Sequence, residues 1–240
     1  MVRSSVRRKI LGVIPARYAS SRFPGKVLAP IPDPSGNCRT MLQHVFERVS
    51  SARYLTSIII ATDDERVYKE AKKFGAPVRM TRADHVSGTD RVAEVAASEP
   101  AELIVNVQGD EPLIDPAAID TALLPMLDDP SIPMGTLKKQ IEDPREIVDP
   151  NVVKVVTDLA GNALYFSRSP IPYVRELAGA PRTPFFKHIG LYVYRRDFLL
   201  GYSDLPIGPL RLDYGIPIHH DNFNGGSGKF QFGVGFTRPL

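Results

Sequence analysis

The residues best suited to chemistry are three cations that follow an apolar run near the N-terminus. Arg17, Arg22 and Lys26 lie among small residues, directly after the apolar residues 10–14. A strand that ends in a small-residue, cationic loop is typical of α/β proteins that hold a polyphosphate, because backbone N–H groups approach the phosphate oxygens while the cations offset their charge. The pattern predicts a polyphosphate site, and a solvated basic loop is the alternative.

A second candidate group consists of carboxylates that follow another apolar run. Residues 104–107 read Ile-Val-Asn-Val, and Gln108, Gly109, Asp110 and Glu111 come next. Mg²⁺ prefers hard oxygen ligands and commonly takes one or two carboxylates plus substrate phosphates. Asp110 is the better candidate ligand, because Glu111 precedes a proline and can turn elsewhere. The alternative is a turn that binds nothing.

Two further stretches could serve a nucleotide. Residues 60–65 bring acidic side chains to the end of a predicted strand, where α/β sheets place ligands, although the same acids could cap the next helix. In residues 84–91 a small-residue turn precedes a helix. There Ser87, Gly88 and Thr89 can present backbone and hydroxyl groups to a base or a sugar. An ordinary helix start is the alternative.

The elements that must position these side chains alternate between strands and helices. Strands are predicted over 9–14, 57–61, 78–81 and 102–107, and helices over 41–53, 63–74, 88–97 and 116–124. On the third helix Arg91 and Glu94 are three residues apart and could pair with each other. This alternation predicts an α/β fold with a mostly parallel sheet and helices on both faces.

The pattern changes after about residue 130. Strands predicted over 134–138, 152–157, 163–166 and 188–194 are joined by Pro- and Asp-rich turns, which favours an antiparallel segment at one edge of the sheet. A helix is predicted to open at 195–200. Residues 201–240 contain 8 of the 18 glycines and show no helical period, so no core helix is predicted there.

Composition narrows the class of protein. The 240 residues are 43% hydrophobic and 24% charged, values typical of one large globular domain or a domain with a small lobe. A net charge of +3 without basic stripes argues against a nucleic-acid partner. The single cysteine, Cys38, excludes an internal disulfide and fits a reducing compartment. No apolar run predicts a membrane span or a signal peptide, so we expect a cytoplasmic protein.

Six motifs together resemble, in order, those of the 3-deoxy-manno-octulosonate (KDO) cytidylyltransferase, or CMP-KDO synthetase, family. They lie at residues 15–26, 61–65, 87–94, 105–112, 165–172 and 187–190, and the resemblance covers residues 9 to about 206. The fifth contains the run Phe-Ser-Arg-Ser-Pro-Ile-Pro, which separates the chain from the related CMP-sialate synthetases.

The resemblance implies a fold, a reaction and partners. The fold would be a Rossmann-like sheet of the nucleotide-sugar-transferase type, usually in a homodimer. The enzyme would use Mg²⁺ to join CTP to the acid sugar KDO, giving CMP-KDO and pyrophosphate for lipopolysaccharide biosynthesis. The alternatives are a cytidylyltransferase for another acid sugar, or a nucleotide-binding protein inactivated by its altered C-terminus.

The resemblance also implies roles for individual residues. Catalysis would rest on Arg17, Lys26 and Asp110, with Asp110 as the metal ligand. Nucleotide binding would involve Ala16, Arg17, Arg22, Lys26, Ser87, Gly88, Asp90 and Gln108. The acid sugar would contact Gln108, Arg168 and His188. An arginine suits a sugar carboxylate because it can bind in bidentate fashion, with a histidine as second donor. A surface ion pair for Arg168 and a strand-edge role for His188 are the alternatives.

The C-terminal segment departs from the family. The family's Glu-Gln-Leu-Arg type helix and Val-Asp-Thr-Pro-Glu-Asp type segment, whose last Asp is a second metal ligand, are missing here. We therefore expect one cytidylyltransferase domain over 1–206, with 130–195 as its antiparallel, substrate and dimer segment, and an atypical, disordered tail over 207–240. A shifted reading frame or a truncated gene is our hypothesis for this tail. A genuine tail would imply weak Mg²⁺ affinity and low turnover. Sequencing the 3′ end of the gene tests the hypothesis.

Overall fold

Two compact units make up the chain. The computed structural model describes residues 8–19, 23–32, 35–174, 183–203 and 230–232, of which residues 202, 203 and 230–232 are described by their backbone alone. The first unit contains residues 1–120 and 193–209, and the second contains residues 121–192 and 210–240.

Eleven strands and six α-helices are described within these ranges. In chain order they are β1 (Ile10–Pro15), β2 (Pro30–Pro32), β3 (Cys38–Thr40), α1 (Met41–Val49), β4 (Ser57–Thr62), α2 (Glu65–Lys73), β5 (Val78–Met80), α3 (Gly88–Ala97), β6 (Leu103–Asn106), α4 (Pro116–Asp128), β7 (Met134–Gln140), α5 (Arg145–Val148), β8 (Lys154–Thr157), β9 (Ala163–Ser167), β10 (Phe186–Arg195), α6 (Arg196–Ser203) and β11 (Phe230–Phe232). A short 3₁₀ turn spans Lys26–Leu28.

The first unit contains the predicted parallel sheet. Its strands β6, β1, β4 and β5 are neighbours in that order, and every pairing among them is parallel. Val13 of β1 lies opposite Ile59 of β4 on one side and Asn106 of β6 on the other. The apolar runs of β1 and β6 are buried throughout, as expected for a parallel sheet that is covered on both faces. The α/β prediction is confirmed.

Side-chain caps fix where the helices of this unit begin. The Thr40 hydroxyl accepts the N–H of Gln43 at the start of α1, and the Asp64 carboxylate accepts the N–H of Arg66 at the start of α2. The predicted start of α1 at residue 41 is confirmed, and α2 starts at Glu65, two residues after its predicted start. The predicted end of α1 near Arg53 is wrong, because the helix stops at Val49. The N–H groups of Arg53 and Tyr54 bind the carboxylate of Asp120 instead of helical carbonyls.

The prediction that α4 ends before Pro125 is also wrong. The helix continues to Asp128 with Pro125 inside it. Leu123 and Met126, on either side of the proline, are fully buried. Burying two large apolar side chains contributes about 1.5–3 kcal/mol each, which is comparable to the cost of about 3 kcal/mol for an internal proline.

Three strand pairs of the second unit are antiparallel. Strand β8 pairs with β9 on one side and with β10 on the other, and β7 pairs with β11, all in antiparallel fashion. This confirms the predicted change after residue 130. Strand β11 lies in the tail for which no element was predicted. Residues 204–229 and 233–240 of that tail are outside the described residues. None of the helices in the described ranges has the length and apolarity to cross a bilayer.

Candidate nucleotide and sugar site

Four of the six motifs meet at the carboxyl end of β1. A Cβ atom on Gly109 would lie 2.8 Å from the carbonyl oxygen of Pro15, which is closer than real Cβ atoms approach, so this position requires glycine. A Cβ on Gly88 would make an ordinary contact with the Pro15 ring, at 3.7 Å. The N–H of the buried Ala16 donates to the carbonyl of Ala61 at 2.8 Å. The first loop therefore contacts the other three motifs of the predicted nucleotide site.

Lys26 and Asp110 form an ion pair at this edge of the sheet. The Lys26 ammonium lies 2.8 Å from a carboxylate oxygen of Asp110, and both side chains are about half exposed. The loop that carries Lys26 is closed at its base by the N–H of Gly25, which donates to the carbonyl of Tyr18 at 2.8 Å. Gly25 has a φ of 74°, a value that favours glycine. Arg22, the third predicted cation, lies outside the described residues.

Arg17 is directed at the segment before α3. Its guanidinium donates to the carbonyl of His85 and makes a longer contact, 3.4 Å, with the carbonyl of Ser87. Within the described part of the chain its Nε atom is buried without a hydrogen-bond partner. Arg17 thus links the cationic loop to the motif that was predicted to contact the base.

The start of α3 is a capping box. The Ser87 hydroxyl accepts the N–H of Asp90 at 3.2 Å, while the Asp90 carboxylate accepts the N–H of Ser87 at 2.8 Å. The Ser87 hydroxyl also lies 2.8 Å from that carboxylate. In this structure Ser87 and Asp90 therefore act as helix-capping residues, which is the alternative considered for this turn. Gly88 is the first residue of α3 and lies at the positive end of the helix dipole, which favours a negatively charged ligand.

Arg91 does not form the pair with Glu94 that their spacing would allow. Arg91 is fully buried, and it donates to the Asp63 carboxylate at 2.7 Å and to the Thr81 hydroxyl. Glu94 instead contacts the His85 ring. Arg91 lies on the buried face of α3 and Glu94 does not, so the two side chains point in different directions. Asp63 therefore holds α3 against the end of β4, and its neighbour Asp64 caps α2.

The acidic end of β6 has the oxygen donors that magnesium prefers. Burial raises the pKa of the Glu111 carboxyl, and the negative charge of Asp110 raises it further by a smaller amount. The positive charge of Lys26 partly offsets this rise. The Glu111 N–H donates to the carbonyl of Gln108 at 3.3 Å, so these residues form a turn. Within the described ranges no three His, Cys, Asp or Glu side chains cluster to hold a metal. Two carboxylates still fit Mg²⁺ if substrate oxygens complete its shell.

Two of the three predicted sugar ligands, Arg168 and His188, belong to the second unit. The Arg168 guanidinium donates to the carbonyl of Pro150 at 2.6 Å, which uses one of its five N–H groups. Among the described residues, no carboxylate forms an ion pair with Arg168, and its guanidinium binds this backbone carbonyl. Sequence reasoning missed Lys154, whose ammonium binds the carbonyl of Arg168. Its position within the apolar run of residues 152–156, Val-Val-Lys-Val-Val, is the sequence signal that could have found it.

His188 is a neutral histidine at neutral pH. Burial lowers the pKa of its imidazole to about 4. Its Nε2 lies 2.9 Å from the Thr136 hydroxyl, which in turn lies 2.7 Å from the carbonyl of Leu191. The hydroxyl has one proton and donates it to that carbonyl, so Nε2–H must donate to the hydroxyl. The Phe166 ring contacts the imidazole edge-on at a centroid distance of 5.0 Å. Nδ1 is therefore an acceptor.

A parallel α/β sheet whose carboxyl edge carries cations and carboxylates is typical of nucleotide-binding enzymes. The chain belongs to the cytidylyltransferase family, whose model matches residues 11–214. A 3-deoxy-manno-octulosonate cytidylyltransferase of Solibacter usitatus is 72% identical over 203 residues, which are 85% of this chain and 78% of that one. The protein of the same name from Syntrophotalea carbinolica is 56% identical over 207 residues, 84% and 81% of the two chains.

Solved structures agree with this assignment. A CMP:2-keto-3-deoxy-manno-octonic acid synthetase complexed with CTP is 46% identical, with a TM-score of 0.75 over 84% of this chain and 80% of that one. A cytidylyltransferase from Leptospira borgpetersenii is 18% identical with a TM-score of 0.53, which shows a shared fold alone. The resemblance to the KDO cytidylyltransferase family and the predicted fold class are confirmed.

Proposed function

We propose that this protein joins CTP and KDO, releasing pyrophosphate and giving CMP-KDO for lipopolysaccharide biosynthesis. The observation that carries the proposal is the meeting of four motifs at the end of β1, in a chain that is 72% identical to a named KDO cytidylyltransferase. A different acid sugar is not favoured, because the relatives described above bear the KDO name. A cytoplasmic location follows from a reaction that consumes CTP.

The triphosphate would bind between the cationic loop and the acidic end of β6. Lys26 would turn from Asp110 to the phosphates, and Arg17 would place a second positive charge on them. Bound Mg²⁺ would neutralise charge on the phosphate oxygens, with Asp110 as its protein ligand and Glu111 beside it. Lys26 therefore stabilises the carboxylate before the substrate arrives and the pyrophosphate charge afterwards.

The acid sugar would be held by its carboxylate. Arg168 has the donors for a bidentate contact with that carboxylate. His188 is neutral and uses Nε2–H on Thr136, so its Nδ1 would accept a hydrogen bond from a sugar hydroxyl rather than donate to the carboxylate. The anomeric hydroxyl would attack the α-phosphorus in line, so that catalysis depends on positioning and charge stabilisation.

A homodimer completes the proposal. Strand β9 pairs with β8 and has no second neighbour among the described strands. Its residues Leu164 and Tyr165 are 54% and 51% exposed. An edge strand with exposed apolar side chains is a common pairing surface, so β9 is where we place the second copy.

A pyrophosphate-release assay tests the proposed activity. Wild-type protein should release pyrophosphate when CTP, KDO and Mg²⁺ are all present, and should lose activity when any one is omitted. A panel with UTP, and with sialic acid in place of KDO, should give much lower rates. Equal rates with sialic acid, or CTP binding without any pyrophosphate release, would contradict the proposal. The second result would favour an inactive nucleotide-binding protein.

A further inference from the structure

Lys154 is a buried lysine that no motif assignment explains. It lies on β8, the strand between β9 and β10, and none of its surface is exposed. A buried ammonium group is costly to desolvate and persists only where its donors are satisfied. An apolar side chain of similar length would be the simpler occupant of such a position, so the lysine needs a reason to be there.

The three protons of the ammonium are matched by three backbone carbonyls. Nζ lies 2.9 Å from the carbonyl oxygen of Asp149, 2.6 Å from that of Val152 and 2.6 Å from that of Arg168. Two of these carbonyls belong to the turn that leads into β8, and the third belongs to the residue that follows β9. Lys154 thus joins the two segments that flank the paired strands β8 and β9.

The side chain of Arg168 binds the same turn that Lys154 binds. Its guanidinium donates to the carbonyl of Pro150, which lies in the turn bound by Lys154. The backbone and the side chain of Arg168 are therefore both tied to residues 149–152. The chain beyond Arg168 is ordered locally as well, because the N–H of Ser169 donates to the Ser167 hydroxyl at 2.9 Å.

We infer that Lys154 is a positioning residue for the acid-sugar subsite: by binding the carbonyl of Arg168 it fixes the backbone of that residue, and so the direction of its guanidinium. Its ammonium also adds a buried positive charge close to Arg168, which favours a carboxylate ligand. This inference rests on the proposed function, in which Arg168 binds the sugar carboxylate. Lys154 itself does not contact the substrate.

The test compares Lys154→Met with Lys138→Met, a matched control. Lys138 is a second buried lysine of the same unit. Its ammonium donates to the Thr157 hydroxyl at 2.7 Å, whereas that of Lys154 donates to the carbonyl of Arg168. Lys154→Met should raise the KM for KDO about tenfold or more, while CTP affinity measured by calorimetry stays within about twofold. Lys138→Met should leave the KM for KDO unchanged. In an Arg168→Met background, Lys154→Met should add little, since it acts through Arg168.

Hydrogen exchange supplies a readout that is independent of turnover. Amides of residues 167–170 should exchange faster in Lys154→Met than in wild type or Lys138→Met. An unchanged KM for KDO with unchanged exchange would overturn the inference, as would equal effects of the two lysine variants. Should Lys154→Met fail to fold, Lys154→Gln provides the same comparison. A wild-type protein that releases no pyrophosphate would instead contradict the proposed function, and the exchange result would still decide whether Lys154 holds the turn.

Discussion

At the scale of single residues, the Lys26 ammonium forms an ion pair with Asp110, the carboxylate that we propose as the metal ligand. The sequence predicted both residue types, since cations after a strand suit phosphates and a strand-end carboxylate suits Mg²⁺. It could not predict that they contact each other, because 84 residues separate them and only the parallel pairing of β1 and β6 brings their loops together. Arg91 shows the same limit, because its partner Asp63 lies 28 residues earlier, in the connection between β4 and α2.

Replacing Asp110 by Asn tests the proposed metal ligand. The amide keeps the size of the side chain but removes the charge, so we expect pyrophosphate release to fall at least about a hundredfold, the effect of losing several kcal/mol of charge stabilisation. Asp143→Asn is the control, since Asp143 is an exposed aspartate that pairs with Arg145 in the second unit. Unchanged activity in Asp110→Asn at saturating Mg²⁺ would remove this residue from the site.

His188 makes a prediction about pH. Its pKa in the folded state is about 4, below the ordinary value of 6.5, so the unfolded chain binds more protons between these values. The contribution of the neutral imidazole is fully present above about pH 6.5 and is lost as the pH falls toward 4. Lowering the pH from about 7.5 to about 5 should therefore decrease the Tm more in wild type than in His188→Gln. Equal decreases in the two proteins would show that His188 titrates normally.

At the scale of elements, starts were easier to predict than ends. Thr40, Asp64 and Ser87 cap α1, α2 and α3 through bonds to residues two or three positions ahead, and such local chemistry can be read from sequence. Beyond the end of α1, the N–H groups of Arg53 and Tyr54 bind Asp120, a residue of α4. Helix α4 continues through Pro125, and apolar residues on both sides of the proline are buried. These long-range effects leave no local signal. The hairpin of β2 and β3 was missed because its two prolines argue against a strand.

Gly109 tests how closely the elements of the site approach each other. A Cβ there would lie 2.8 Å from the Pro15 carbonyl, so Gly109→Ala should displace β6 from the first loop, destabilise the protein by about 1–3 kcal/mol and weaken CTP binding. Gly201→Ala is the matched control, since a Cβ at Gly201 meets nothing within 4 Å. In helix α6 that change should be neutral or stabilising by about 0.5–1 kcal/mol. Denaturant unfolding and calorimetry measure both, and equal effects of the two variants would contradict the close contact.

At the scale of the whole molecule, the parallel and antiparallel parts were both predictable, because a change in strand spacing and turn composition after residue 130 marks the boundary. The tail was recognised by its loss of motifs, and the family match ends at residue 214. Its origin in a shifted reading frame, its disorder and the extent of a single domain over 1–206 stay predictions. So do the roles of the individual site residues.

Assembly is tested at the exposed edge of β9. We expect wild-type protein to behave as a dimer in light scattering coupled to size exclusion, and Tyr165→Glu to weaken the dimer at least about tenfold by placing a charge in the pairing surface. Val148→Glu changes another exposed apolar residue of the same unit and should leave the dimer intact. A monomeric wild type, or a Tyr165→Glu variant that dimerises as well as wild type, would contradict this placement.

The central claim is that the cationic loop and Asp110 share one triphosphate. The most direct measurement is a crystal structure with CTP and Mn²⁺, in which anomalous scattering locates the metal. We predict a metal about 2.1 Å from an Asp110 carboxylate oxygen, with the phosphates in contact with Arg17 and with a Lys26 that has left Asp110. Phosphates bound away from both the loop and Asp110, or an intact Lys26–Asp110 pair beside bound CTP, would contradict it.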